Sequence, residues 1–148
     1  MAVVGVVSVT LALLAGGAQP AQAYLSPRCG NPQFVAYGVT LMTCVSADLN
    51  NVYGDGRLYL NQAGVDDHHG EIITVITDVA YKHRDGSNFG TTGALNCHIT
   101  VPNSVPHGGY ISCSGQPAVV ANASGWIYQS EAAISLYGNY VTSPWVDP

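Results

Sequence analysis

At 148 residues the chain allows one domain, and its 9% charged residues fall far below the roughly 25% of ordinary soluble proteins, which excludes a charge-rich disordered tail. Lys and Arg number 4 against 9 for Asp and Glu, so a net charge of -5 offers no basic surface and excludes nucleic acid as the expected partner. The 47% hydrophobic fraction with 17 Gly and 8 Pro suits a compact, turn-rich domain.

Residues 2 to 18 carry no charged side chain and are mostly Ala, Val, Leu and Gly, an apolar run that leads to Ala21-Gln22-Ala23. This is the pattern of a signal peptide over 1–23 with cleavage after Ala23, although no Lys or Arg precedes the apolar core. Gly16-Gly17 and Gln19-Pro20 interrupt the run before it reaches the about 20 apolar residues of a membrane helix, so it reads as cleaved rather than retained. The mature part, residues 24–148, is expected to be a single secreted, extracellular β-domain with no membrane span.

All four cysteines, Cys29, Cys44, Cys97 and Cys113, lie in that mature part, and an even number in an exported chain reads as two disulfides. Closeness in sequence favours Cys29 with Cys44 and Cys97 with Cys113, each closing a loop worth about 3 kcal/mol in the chain-entropy model. Zinc competes poorly, because neither Cys-x-x-Cys nor His-x-x-x-His spacing occurs.

Period-two alternation dominates the rest. From Val39 to Leu49 one face collects Val39, Leu41, Val45, Ala47 and Leu49, and the other Thr40, Met42, Cys44, Ser46 and Asp48. Asn50-Asn51 and Gly54-Asp55-Gly56 predict a turn, after which Arg57 to Asn61 resumes the alternation and completes a hairpin. Asp66-Asp67-His68-His69-Gly70 reads as a polar turn. Glu71 to His83 is the longest strand candidate, with Ile73, Val75, Val79 and Tyr81 on one face, and Ile72 and Ile76 on the other predict that its first half is covered on both sides. Leu95, Cys97, Ile99 and Val101 alternate next. The turn-forming connection Pro102 to Gly108 then leads to a strand over Gly109 to Ser114, and pairing about its centre places Cys97 opposite Cys113 on neighbouring strands. In the last third Ala118 to Ala121 and Gly125 to Tyr137 read as strands, with helix as the alternative for Gln129 to Ser135. The expected fold is all-β, an antiparallel β-sandwich of about seven strands braced by two disulfides.

Signals for chemistry are few. Asp66, Asp67, His68 and His69 form the one local cluster of metal-ligand types, but neighbouring residues in extended chain point to opposite sides, so a solvated turn is the plainer reading and no metal or cofactor is expected. His98 is expected on the solvent face of its strand and His107 in a turn. Gly-x-Ser-x-Gly is absent, and the cysteines are taken up by disulfides, so no catalytic residues are assigned. Trp126, Tyr128, Tyr137, Tyr140 and Trp145 crowd the C-terminal quarter, where they serve either as the large residues of a Phe-poor core or as a recognition platform. The Ala-rich leader ending in Ala21-Gln22-Ala23, the single Lys82, the two cysteine pairs and the closing Tyr140-Val141-Thr142-Ser143-Pro144 resemble small secreted actinobacterial proteins of unassigned activity. That resemblance carries no catalytic residues with it. The functional expectation is a non-enzymatic secreted protein acting by surface contact with the cell envelope, a protein or a glycan. The alternatives are a protease inhibitor presenting the 102–108 loop and a small secreted hydrolase. Protein recovered from the medium of an expressing host should begin at Tyr24 by N-terminal mass spectrometry; a chain that keeps Met1 there contradicts the export reading.

Overall fold

Alternation of apolar and polar residues becomes, in the computed structural model, two antiparallel sheets packed face to face. The structure describes residues 25–48, 50–114, 118–119, 125–135, 138 and 140–147; the expected signal peptide, Leu49, Leu136, Tyr137 and the second half of the expected strand at 118–121 lie outside them. Four long strands form the centres of the sheets: β3 (Val39–Ala47) with β4 (Asn51–Leu60) in the first, and β5 (Ile72–His83) with β10 (Trp126–Ile134) in the second.

Short segments cover the flanks of these strands in tandem. On β3 lie β1 (Leu25–Cys29) and β2 (Gln33–Ala36), and on β4 lie β8 (Tyr110–Ser114) and β9 (Ala118–Val119). On β5 lie β6 (Gly90–Thr91) and β7 (Leu95–Thr100), and on β10 lies β11 (Tyr140–Thr142), followed by a bridge from Tyr128 to Val146. Edge strands this short offer few unpaired backbone groups to another chain.

Between the layers every second residue is buried, and Cys44 and Ala80 are buried out of phase with this alternation. On β3, Val39, Leu41, Thr43, Val45 and Ala47 are buried; on β5, Ile73, Val75, Thr77 and Val79; and on β10, Tyr128, Ser130, Ala132 and Ile134, so the helical alternative for 129–135 is not adopted. Two apolar clusters result. The larger runs from Val35, Val39 and Leu41 through Leu58, Ile73, Val75 and Ile99 to Ile134 and Val141; the smaller joins Val45, Val52, Val79, Tyr128 and Val146 with Trp126 packed on its rim. Val65 closes one end of the larger cluster from α1 (Gln62–His68), where the Asn61 side chain caps the helix by accepting from the Gly64 amide at 3.0 Å.

Several expectations need correction. Gly54-Asp55-Gly56 is not the hairpin turn but the middle of β4. A Cβ on Gly54 would lie 2.7 Å from Ser130 Oγ, and one on Gly56 would lie 2.6 Å from Thr77 Cγ2 and 3.1 Å from Val75 Cγ1, so these glycines mark close approach of the other sheet. Asp66 to His68 belong to α1, and only His69 and Gly70 turn, because the Asn61 cap starts a helix before the polar run. Ile72 is 61% exposed, so the outer face of β5 is not covered by a further layer. Most consequentially, β7 pairs with β5 and β8 with β4, which places Cys97 and Cys113 in different sheets rather than on neighbouring strands. The 102–108 segment is thus a crossover between layers and not a hairpin loop.

The true β3–β4 turn is organised by Asp48. Its Oδ1 accepts from the Asn50 and Asn51 amides at 2.9 and 2.8 Å, and its Oδ2 from the Tyr53 hydroxyl at 2.7 Å. The Asn50 amide first, and then the Tyr53 hydroxyl, hold this carboxyl below its ordinary value of 3.8. A carboxyl lowered in the folded state stabilises above the unfolded value, and that contribution disappears as pH falls through the lowered folded value. Asp48→Asn should therefore melt lower than wild type near neutral pH, with the gap closing below about pH 4. Thermal melts across that range check this; a gap that is constant with pH contradicts it.

Candidate recognition surface

A strand that buries every second residue must turn the others outward, and on the first sheet this rule assembles residues from four strands. Phe34 of β2 pairs with Thr40 of β3, Thr40 with Tyr59 of β4, and Tyr59 with Tyr110 of β8, so the four side chains form one row across the outer face. Behind it a second row runs Met42, Arg57, Ser112, and behind that stand Asp55 and the Cys29–Cys44 pair.

Polar contacts fix this face. The Tyr59 and Tyr110 rings lie 5.2 Å apart at 39°, and the Arg57 guanidinium sits 5.0 Å from the Tyr110 ring centre, within cation–π range. Arg57 Nε donates to Asp55 Oδ2 at 2.7 Å, and the Ser112 hydroxyl donates to Asp55 Oδ1 at 2.5 Å. Both oxygens of Asp55 are engaged, so it holds Arg57 in place beside the tyrosines. Burial alone would pull the Arg57 guanidinium down, but its hydrogen bond to Asp55 and the carboxylate charge outweigh this and raise it above its ordinary value. At one end of the aromatic row Phe34 is 69% exposed. At the other margin Cys29 and Cys44 stand directly opposite each other on β1 and β3 with Cα atoms 3.9 Å apart, and they form the expected disulfide. The bridge ties the last residue of β1, just before the chain turns toward β2, to β3 and so fixes the rim of this surface.

The other candidates are dispersed. His68 Nδ1 lies 2.9 Å from Glu71 Oε2 and its Nε2 lies 3.5 Å from Asp67 Oδ2, while Asp66 takes a 2.7 Å hydrogen bond from Gln62. Among the described residues no three His, Cys, Asp or Glu side chains are grouped to hold a metal ion. His98 is exposed, bonded to the Thr74 hydroxyl at 2.9 Å, and His107 opens a 3-10 turn. The C-terminal aromatics divide between both expected roles: Tyr128 is core, Trp126 packs its ring against His83 at 4.1 Å on the rim of the smaller cluster, Trp145 lies under Lys82 Nζ at 4.1 Å, and Tyr140 is 56% exposed. Tyr137 lies outside the described residues.

Sequence reasoning passed over the residues that form the row. The signal was present in Tyr53, Asp55, Arg57 and Tyr59, spaced by two along one strand, but reading 54–56 as a turn broke the series. Compared with known protein families, with curated proteins and with solved structures, the chain matches none.

Proposed function

We propose that this protein is an exported, non-enzymatic binding domain that acts by surface contact with a glycan or protein of the cell envelope. The row Phe34, Thr40, Tyr59, Tyr110 with Arg57 behind it carries this reading: aromatic and Arg side chains are the types that dominate binding energy, and here they lie together on an outer sheet face. The tyrosines supply flat apolar area with a polar edge, suited to the alternating CH faces and hydroxyls of a sugar ring. Asp55 and Ser112 hold Arg57 in place before any ligand arrives, which limits the ordering cost of binding. The disulfide and the lack, among the described residues, of any helix able to cross a membrane are compatible with export.

A second reading, a protease inhibitor, rests on the 102–108 crossover. Val105 is 39% exposed in a segment that follows the Val101 amide's 2.9 Å bond to Glu71 O and ends in a turn in which the Gly109 amide donates to Pro106 O at 2.8 Å. An exposed loop of this kind suits a protease inhibitor, and titration against a protease panel distinguishes the two.

The mature protein should bind a subset of a glycan array or purified envelope polysaccharide. Tyr59→Ala with Tyr110→Ala should weaken that binding by about tenfold or more, on the scale of 1 to 2 kcal/mol typical of an aromatic anchor. Replacing Thr74 and Thr100 on the outer face of the second sheet by Ala should leave it unchanged. Equal binding by wild type and the double Tyr variant overturns the assignment.

A further inference from the structure

We propose that Cys97 and Cys113 are a disulfide-forming pair that staples one edge of the first sheet to one edge of the second, and that a small external disulfide oxidises them by entering through Cys97.

The registers bring the two residues together. Cys113 stands opposite Gly56 in the first sheet, and Cys97 opposite Val75 in the second. Gly56 and Val75 touch across the sandwich, since a Cβ on Gly56 would meet Val75 Cγ1 at 3.1 Å. One strand further out on each sheet, on the same side of the molecule, the next pair at this level is Cys113 with Cys97. Both belong to the larger apolar cluster, Cys113 fully buried and Cys97 half-buried at its margin, and the two side chains are in hydrogen-bond contact.

The opposite edge of the sandwich is closed without a cross-link. There Gly30, just after β1, lies so close to β11 that any side chain would run into the Thr142 carbonyl. At the β7 and β8 edge, by contrast, two thiols face each other, where a covalent bond would join layers that no backbone hydrogen bond connects there among the described residues.

Accessibility orders the chemistry. Burial, followed by the hydrogen bond and charge of Cys97, pushes the Cys113 thiol up to about 12, so Cys113 is a poor first nucleophile near neutral pH. Cys97 loses its proton to water and attacks one sulfur of the external disulfide, such as oxidised glutathione. That S–S bond breaks, one glutathione thiolate leaves, and Cys97 carries a mixed disulfide. Cys113 then attacks the Cys97 sulfur, expelling the second glutathione as a thiolate that takes up the Cys113 proton. Two protein thiols are oxidised and one glutathione disulfide is reduced to two thiols. Contact between the two residues makes the second step intramolecular, which offsets the small thiolate fraction of Cys113.

The test incubates the folded protein, carrying its Cys29–Cys44 bridge, with oxidised glutathione. Chymotryptic cleavage after Tyr110 separates the two residues, whereas trypsin leaves both in one peptide beyond Arg84. Wild type should lose two free thiols and yield a Cys97 to Cys113 linked peptide under non-reducing mass spectrometry. Cys113→Ser should instead accumulate a glutathione adduct at Cys97. Cys97→Ser should keep its Cys113 thiol unmodified until urea unfolds it. Wild type that stops at the adduct on Cys97, or Cys97→Ser that is modified while folded as fast as wild type, overturns the proposal.

Discussion

Close contact between β4 and the second sheet is the constraint on which the rest of the structure depends. Sheets in a sandwich ordinarily stand about 10 Å apart, a distance filled by the side chains of both inner faces. Here the middle of β4 contributes Gly54 and Gly56, so Thr77, Val79 and Ser130 of the opposing sheet advance into the space that side chains would occupy. The approach brings Thr43 and Ser130 within 2.6 Å of each other across the layers, so two buried hydroxyls satisfy each other inside an apolar core. The Thr43 hydroxyl also donates to the Asp55 carbonyl at 3.4 Å, so this pair links the second sheet to the backbone of β4.

β4 also serves the outside. Because its inner positions alternate with outer ones, the strand that sets the layer spacing at Gly54, Gly56 and Leu58 presents Tyr53, Asp55, Arg57 and Tyr59 on the other face. Rigidity in the core is thereby transmitted to the recognition surface: a shift of β4 relative to β5 would move Arg57 and Tyr59 together, and with them the ring contact to Tyr110. The two cysteine pairs frame this arrangement differently. Cys29 and Cys44 hold β1 to β3 within one sheet, whereas Cys97 and Cys113 meet between the sheets.

What could be read from the sequence follows from what alternation encodes. The buried faces of β3, β5 and β10, the strand identity of 126–134 and the Cys29 to Cys44 bridge are local facts, written in periods of two and in short separations. Sheet membership is not local. Cys97 and Cys113 sit at mirrored places around Pro102 to Gly108, and nothing in that spacing distinguishes a hairpin from a crossover between layers. Gly-Asp-Gly looks like turn chemistry because the same absence of a Cβ serves both a tight turn and a close neighbour. Asp66 to His68 misled in the opposite sense, since their helix is dictated by the Asn61 cap and the burial of Val65 rather than by the polar residues themselves. The recognition row needed registers from four strands and could not be assembled before they were known.

The central claim, that β4 is glycine-rich because the second sheet lies directly against it, is tested most directly by a double-mutant cycle between Gly56 and Thr77. Gly56→Ala should lower unfolding stability by about 1 to 3 kcal/mol, the usual cost of overpacking a dense core. Thr77→Ser removes the methyl group that the new Cβ would strike at 2.6 Å, so it should recover part of that loss, with a coupling of about 0.5 kcal/mol or more. Urea melts in which the two substitutions simply add would show that Gly56 and Thr77 do not meet, and the packing that positions both faces of β4 would be wrong.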